Sequence, residues 1–544
     1  MKIKPNQYPF LFLALALILA LPAFLINLGD QTFIDDEATR ALVAFEMIKS
    51  GDFVTPTEGG EIYLRKPPLY NWLVVFSFKL FGEYSEFAAR MPMVVSLFLL
   101  TLAIFILYRR ELGGELAVIS ALMFLTCGRI IIYESLVGLI DLTFSLLTYS
   151  LFILIYKAFN QGNLLKLFVI AYILTGFSFL LKGLPSVVFL GITLLVLFIS
   201  QKKFRLLFDW RHFFGIFLFI LIISSYYILY FWRNQVAPEE MLSVMFGETT
   251  RRTALRFGIW NTVIHMFTFP FEMIYHFLPW SLMIVFLFRK EVMKRIRRNH
   301  FLWYISLVFI FNIIVYWTSP EVYPRYILML MPLFFAVVGF FYLEAKNNRT
   351  YLSKLTEIVL GTALILATLS SLTPLFLVLP AISNSLMISA CLFVALGLVT
   401  GLYWRQKSLR IYWFVIGILV FRIGFDLIIL PVRVYESKGV ESRDLAYSIA
   451  GQTSGEELYY WWDPDKEATG YYGRRLTSYR FSYYLSIARD EIIKTTTEKK
   501  EDTWYITPAW NIDREKIEIG REFLPIGSES SVLLFKFRNH VFNH

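Results

Sequence analysis

Three adjacent carboxylates, Asp35-Asp36-Glu37, follow the first long apolar run of the sequence. Charge at a membrane edge is costly and needs a reason. Acidic residues favour a helix N-terminus, so capping the next helix is one reason. A general base or a metal ligand, turned inward while a neighbour caps, is the other. The segment Tyr63-Leu64-Arg65-Lys66-Pro67-Pro68-Leu69-Tyr70-Asn71-Trp72 comes next. Its double proline fixes an extended kink, and two cations are held on that stiff element. They either snorkel to lipid headgroups or clamp a phosphate, for which Lys is a point charge. Asp141 then stands alone inside an apolar run, and Lys182 closes another. Glu248, Arg251, Arg252 and Arg256 cluster near a membrane face, and Arg325-Tyr326 opens a later span after Pro324. An intramembrane Asp is a functional-site hypothesis by default. No metal site is read from the six His residues, and no phosphate-cradling glycine loop is present.

Composition defines the elements that must position these groups. Of 544 residues, 57% are hydrophobic, 18% aromatic and only 17% charged. A soluble protein carries about 25% charged residues. That balance excludes a soluble enzyme, a disordered chain and a nucleic-acid binder. Apolar runs long enough to cross a bilayer number about thirteen. They centre on 9–28, 88–108, 115–133, 137–158, 164–181, 184–200, 213–232, 275–288, 301–318, 326–343, 355–377, 384–404 and 411–431. The first lacks a clean small-residue cleavage site and reads as a retained helix. Cys127 and Cys391 both lie in apolar stretches and read as small core residues.

Loop charge sets the orientation. With a cytoplasmic N-terminus, the inner loops hold Arg109 and Arg110, Lys202 and Lys203, Arg295, Arg297 and Arg298, and Arg405 and Lys407. The opposite short loops hold few basic residues, as the positive-inside rule requires. An odd span count sends residues 432–544 to the far side, which in a bacterium is the periplasm or exterior. The outer loops 29–87 and 233–274 belong with the membrane domain, 1–431. Within the first, 37–49 and 69–81 read as interfacial helices. The tail has 16 Lys+Arg and 18 Asp+Glu against 36 and 24 in residues 1–431. Its helix-like stretch 441–451 and strand-like runs 503–507 and 531–537 predict a small soluble α/β domain. The expected fold is thus an all-α polytopic membrane protein with outer juxtamembrane helices and a soluble α/β tail.

By this topology the singled-out groups share one side of the membrane. Two carboxylates and several cations can deprotonate an acceptor and hold an anionic leaving group. With no nucleotide loop, the energy resides in a membrane-borne, activated substrate such as a phosphate-linked sugar on a lipid. A transporter or flippase of a glycolipid is the rival reading. Transporters often show two related halves with broken helices, and no such halves are visible.

The residues from Asp36-Glu37-Ala38 through Glu46-Met47, Ser50-Gly51-Asp52, the Lys-Pro-Pro-Leu core and Ala89-Arg90 resemble the first outer loop of one family. These are the GT-C glycosyltransferases related to lipid A aminoarabinose transferases and protein O-mannosyltransferases. Leu181-Lys182-Gly183, His276–Trp280 and Arg325–Leu328 are similar to later landmarks. The resemblance implies inverting sugar transfer from a polyprenyl-phosphate donor to a lipid, glycan or protein acceptor at the outer leaflet of the bacterial inner membrane. It makes Asp36 the catalytic carboxylate with Glu37 beside it, and Asp141 a second acidic position. It assigns Lys66, Lys182 and Arg252 to the donor phosphate, with Arg325 and Tyr326 nearby. Those three cations are expected to line one outward-facing cavity. Arg65 stands where the aminoarabinose transferases have an acidic residue, so no metal and no other cofactor is expected. Neither sugar nor acceptor follows from the resemblance.

Overall fold

The computed structural model describes residues 7–34, 36–234, 239, 243, 247, 258–376, 382, 384–435, 437–463, 478–500, 502–508, 511, 517–523 and 532–537. The chain divides into two compact units, each continuous in space but not in sequence. The first comprises Met1–Leu28, Arg65–Leu69 and Arg90–Pro431, and the second Gly29–Leu64, Tyr70–Ala89 and Val432–His544. The boundary therefore differs from a cut at residue 431: most of the first outer loop clusters with the tail.

The first unit is helical. Among the described residues nine helices are long and apolar enough to cross a membrane. They include Tyr8–Leu25, Glu86–Tyr108, Asp141–Asn160, Leu164–Lys182 and His300–Trp317. Gly114–Leu125 and Pro185–Ser200 are apolar but shorter. Three expected spans take another form. The 115–133 run is helical only to Leu125 and ends in a π-helical turn, Ile130–Glu134. The 275–288 run is a 3₁₀ segment, Trp280–Phe288. Pro279, with no N–H to donate, separates it from an apolar helix, Ile259–His276, that falls largely within the expected outer loop. Arg325 and Tyr326 lie in a 3₁₀ turn, Pro324–Ile327, ahead of the helix Met331–Asn347.

The last apolar stretch runs Arg410–Gly424, a π-helical turn Phe425–Ile429, and Leu430–Tyr435. Across that turn Arg422 pairs with Asp426, both sealed from solvent. Arg422 Nη2 also donates to Ser135 Oγ at 3.4 Å, and Asn27 Nδ2 donates to the Asp426 carbonyl at 2.8 Å. A buried charge is tolerated only with partners of this kind.

The second unit joins helices to a sheet. The helix Glu37–Ser50 stops at Gly51, whose φ of +70° is the left-handed conformation that favours glycine. It is buried continuously from Glu37 to Met47, not on one face as an interfacial helix would be. It packs on the helix Tyr479–Arg489, where Tyr484 donates to Glu86 Oε1 at 2.7 Å and receives the Phe33 N–H at 3.2 Å. Leu69–Phe81 is helical as its apolar pattern predicts, and so is Lys438–Gln452.

Strands β1 (Thr57–Glu58) and β2 (Glu61–Ile62) form a hairpin through Gly59-Gly60, both with positive φ. Strands β3 (Leu458–Trp461), β4 (Thr495–Thr496), β5 (Trp504–Pro508), β6 (Ile517–Phe523) and β7 (Val532–Phe537) make a sheet of order β4-β3-β5-β7-β6. β3 pairs parallel with β4 and β5, while β7 pairs antiparallel with β5 and β6. Trp461, Tyr505, Leu533, Phe535 and Phe537 are its core.

Glu46 ties the hairpin to the helix Glu37–Ser50. Its carboxylate accepts from Thr57 Oγ1 and Gly59 N at 2.7 Å each and from Gly60 N at 3.2 Å. Burial outweighs these donors and pushes its pKa up to about 7. A carboxyl raised in the fold binds its proton more tightly there than in the unfolded chain, so stability falls as pH rises. Between the ordinary value of 4.5 and about 7 the loss reaches about 3 kcal/mol. Hydrogen exchange at the hairpin amides should accelerate from pH 5 to pH 8 beyond the intrinsic chemical increase. Glu46→Gln should abolish that excess; an equal excess in the variant would assign it to another group.

Candidate active site

The site in the first unit follows from one hairpin of helices. Asp141–Asn160 and Leu164–Lys182 are joined by the turn 161–163. Gly162 makes the turn with φ +68°, and Asn163 Oδ1 caps the second helix by accepting from Lys166 N at 2.9 Å. The two helices have 20 and 19 residues, each rising about 30 Å, a bilayer's apolar thickness. Nearly equal lengths and a short turn bring the first residue of one beside the last residue of the other. Those residues are Asp141 and Lys182. Lys182 Nζ donates to Asp141 Oδ1 at 2.5 Å. Gly183, with φ +75°, ends the helix there, and Pro185 begins the next.

Arg325 completes the arrangement, its Nε 3.6 Å from Asp141 Oδ2. Lys182 Nζ lies 4.2 Å from the centre of the Tyr326 ring, and the Arg325 guanidinium 5.7 Å from the same ring. The ring of Tyr326 thus serves both cations. Lys66 also acts on Asp141 through its charge. Of the expected phosphate ligands, Lys182 and Arg325 therefore flank one carboxylate and Lys66 acts on it by its charge, while Arg252 lies outside the described residues.

Two further charges belong here that were not among the expected site residues. Glu134, 1% exposed at the end of the π-helical turn, pairs with Arg129 at 2.7 Å. Glu134 feels the charges of Asp141 and Arg325. The signal for it is present in the sequence: like Lys182, it is a charge directly ending an apolar run. Close backbone contact fixes this segment. Gly128 N donates to Leu278 O at 2.6 Å, and a Cβ on Gly128 would come within 3.0 Å of that oxygen. Among the described residues, Lys182 and Arg325 flank Asp141, Lys66 acts on it by its charge, and Arg129 pairs with Glu134. Such a cluster can hold a phosphate and stabilise charge growing on it.

In the second unit Asp36 and Glu37 take different parts. Glu37 is buried, and its Oε1 accepts from Ile34 N at 2.7 Å, which fixes the approach to the helix. Asp36 precedes the helix, is exposed, and its side chain makes no capping hydrogen bond. Asp35 lies outside the described residues. Arg40, one turn along, is buried; its Nη2 donates to Tyr63 OH at 2.5 Å and its Nη1 to Asn71 Oδ1 at 3.4 Å.

Residues 65–229 match the family model described as dolichyl-phosphate-mannose-protein mannosyltransferase. The chain resembles the GT-C aminoarabinose transferases and O-mannosyltransferases and is a glycosyltransferase. Particular relatives follow. An uncharacterized protein of Aquifex aeolicus (strain VF5) is 26% identical over 439 residues, 79% of this chain and 82% of that one. The undecaprenyl phosphate-alpha-4-amino-4-deoxy-L-arabinose arabinosyl transferase of Pseudomonas savastanoi pv. phaseolicola is 32% identical over 117 residues, 21% of this chain and 22% of that one. The crystal structure of ArnT from Cupriavidus metallidurans bound to undecaprenyl phosphate shares the fold, with TM-score 0.67, 17% identity and 98% of both chains covered.

Proposed function

We propose that this chain transfers a sugar from a polyprenyl-phosphate donor to an acceptor at the outer leaflet of a bacterial inner membrane. The observation that carries the reading is the convergence of two buried cations, Lys182 and Arg325, on Asp141, which suits a lipid phosphate. Lys66, Lys182 and Arg325, with Arg252, hold that phosphate, and Tyr326 supports two of them. Asp141 keeps the cations in place without cancelling them. Asp36 accepts the acceptor's proton as its oxygen attacks the anomeric carbon. The new bond forms as the anomeric carbon–oxygen bond to phosphate breaks. The electron pair leaves on the polyprenyl phosphate, and the sugar's configuration inverts. The acceptor is a lipid, a glycan or a protein. The N-terminus is cytoplasmic, and residues 432–544 form an extracytoplasmic domain.

The test is transfer by the purified chain in liposomes containing undecaprenyl-phosphate-linked sugars. Release of undecaprenyl phosphate, matched by labelled acceptor, is the expected result, and it should survive a chelator. Loss on chelation with recovery on adding a divalent ion would overturn the metal-free mechanism. Movement of the intact glycolipid between leaflets without cleavage would favour a flippase. External protease should remove the tail from spheroplasts; a protected tail would reverse the orientation.

A further inference from the structure

Arg40 is 4% exposed, yet the groups its guanidinium bonds among the described residues, Tyr63 OH and Asn71 Oδ1, are neutral. No carboxylate among the described residues pairs with it. A guanidinium removed from water without an anion is expensive. Asn71 adds a second anomaly. It is fully buried, and its Nδ2 donor has no partner while its oxygen faces Arg40. Among the described residues the place therefore holds an excess of donors over acceptors. The buried arginines Arg325 and Arg422, by contrast, each have a carboxylate beside them.

The location gives the excess a use. Arg40 and Asp36 are four residues apart at the start of one helix, and Arg40 N bonds to the Asp36 carbonyl at 3.3 Å. Side chains at that spacing share a face. We propose that Arg40 and Asn71 bind an anionic oxygen group, a carboxylate or a phosphate, on the substrate that Asp36 acts upon. The inference rests on the transferase reading above and adds the charge of the substrate to it. The planar fork of Arg binds such a group through two parallel hydrogen bonds. Tyr63 and Asn71 hold the fork in one orientation while leaving its charge intact. The group enters from the Asp36 side and satisfies the Asn71 amide as well. A sugar carrying an amine at this point is repelled.

Two pairs of substrates separate the sources of the anion. In the first, undecaprenyl-phosphate-linked glucuronic acid is compared with the glucose donor on one acceptor. In the second, a glycolipid acceptor bearing a phosphate monoester is compared with its dephosphorylated form, using one neutral donor. The wild-type chain should prefer the acidic member of one pair by about 100-fold, the worth of a charged hydrogen-bonded contact. Arg40→Met should erase that ratio, and Arg40→Lys should retain part of it. The substrate-free Arg40→Met protein should also melt higher than wild type, because a buried charge without an anion is removed. Equal use of both members in both pairs, a ratio that persists in Arg40→Met, or a lower melting temperature for that variant would each overturn the proposal. Absence of transfer from every donor would instead overturn the transferase reading, and the melting comparison would still decide whether Arg40 lacks a structural partner.

Discussion

Asp36→Asn should insert and fold as the native chain does, bind the lipid donor, and lose transfer by about 10²–10⁴-fold, the usual worth of a general base. The expectation of normal folding is specific. Asp36 is exposed and makes no side-chain capping bond, and Asn is as good a residue at a helix start as Asp. Glu37, which does fix the approach to the helix through Ile34 N, is untouched. What Asn lacks is basicity, so a loss confined to turnover isolates proton removal. Single-turnover transfer with donor binding measured separately is the decisive comparison. Near-normal transfer by Asp36→Asn, with Asp141→Asn inactive, would move the base to Asp141. Near-normal transfer by both would remove the mechanism.

Asp141→Asn should fail differently. Its carboxylate faces two cations whose side chains are only 14% and 4% exposed, Lys182 and Arg325. Removing one partner of a buried pair costs about 3–5 kcal/mol, because the charge left behind remains desolvated. The variant should therefore melt lower in detergent, not merely turn over slowly. Undecaprenyl phosphate supplies a replacement anion, so it should raise the melting temperature of Asp141→Asn more than that of wild type. Asp141→Asn combined with Lys182→Met removes a carboxylate and a cation together and should recover part of the lost stability without recovering transfer. Additive losses in the double variant would show that the pair is not coupled.

Both residues of this pair are conspicuous in the sequence, each a charge at the end of an apolar run. That they meet is not. The meeting depends on nearly equal helix lengths and on Gly162 closing a short turn, a relation between two elements and not a property of either. Glu134 is equally conspicuous, but its placement is not: a π-helical turn, which has no strong sequence signature, sets it against Arg129. The helices Glu37–Ser50 and Leu69–Phe81 are legible from apolar spacing, but the burial of the first comes from the partner Tyr479–Arg489, more than 400 positions away. At 275–288 hydropathy alone misleads, since Pro279 and a 3₁₀ path override it. The strands β5 and β7 are visible as aromatic and aliphatic runs, whereas the sheet order, with β7 between β5 and β6, is not.

The hairpin that joins Asp141 to Lys182 also limits how its sequence can drift. Each residue of helix contributes about 100° of rotation and 1.5 Å of rise. A single deletion in Leu164–Lys182 would turn Lys182 away from Asp141 and toward the acyl chains, whereas a substitution at most lipid-facing positions changes little. Across descendants of this gene, insertions and deletions should be tolerated in the turn 161–163 and purged from both helices, unless a compensating length change in the other helix restores the alignment. The ion pair acts as a molecular ruler, and length is the inherited quantity it measures.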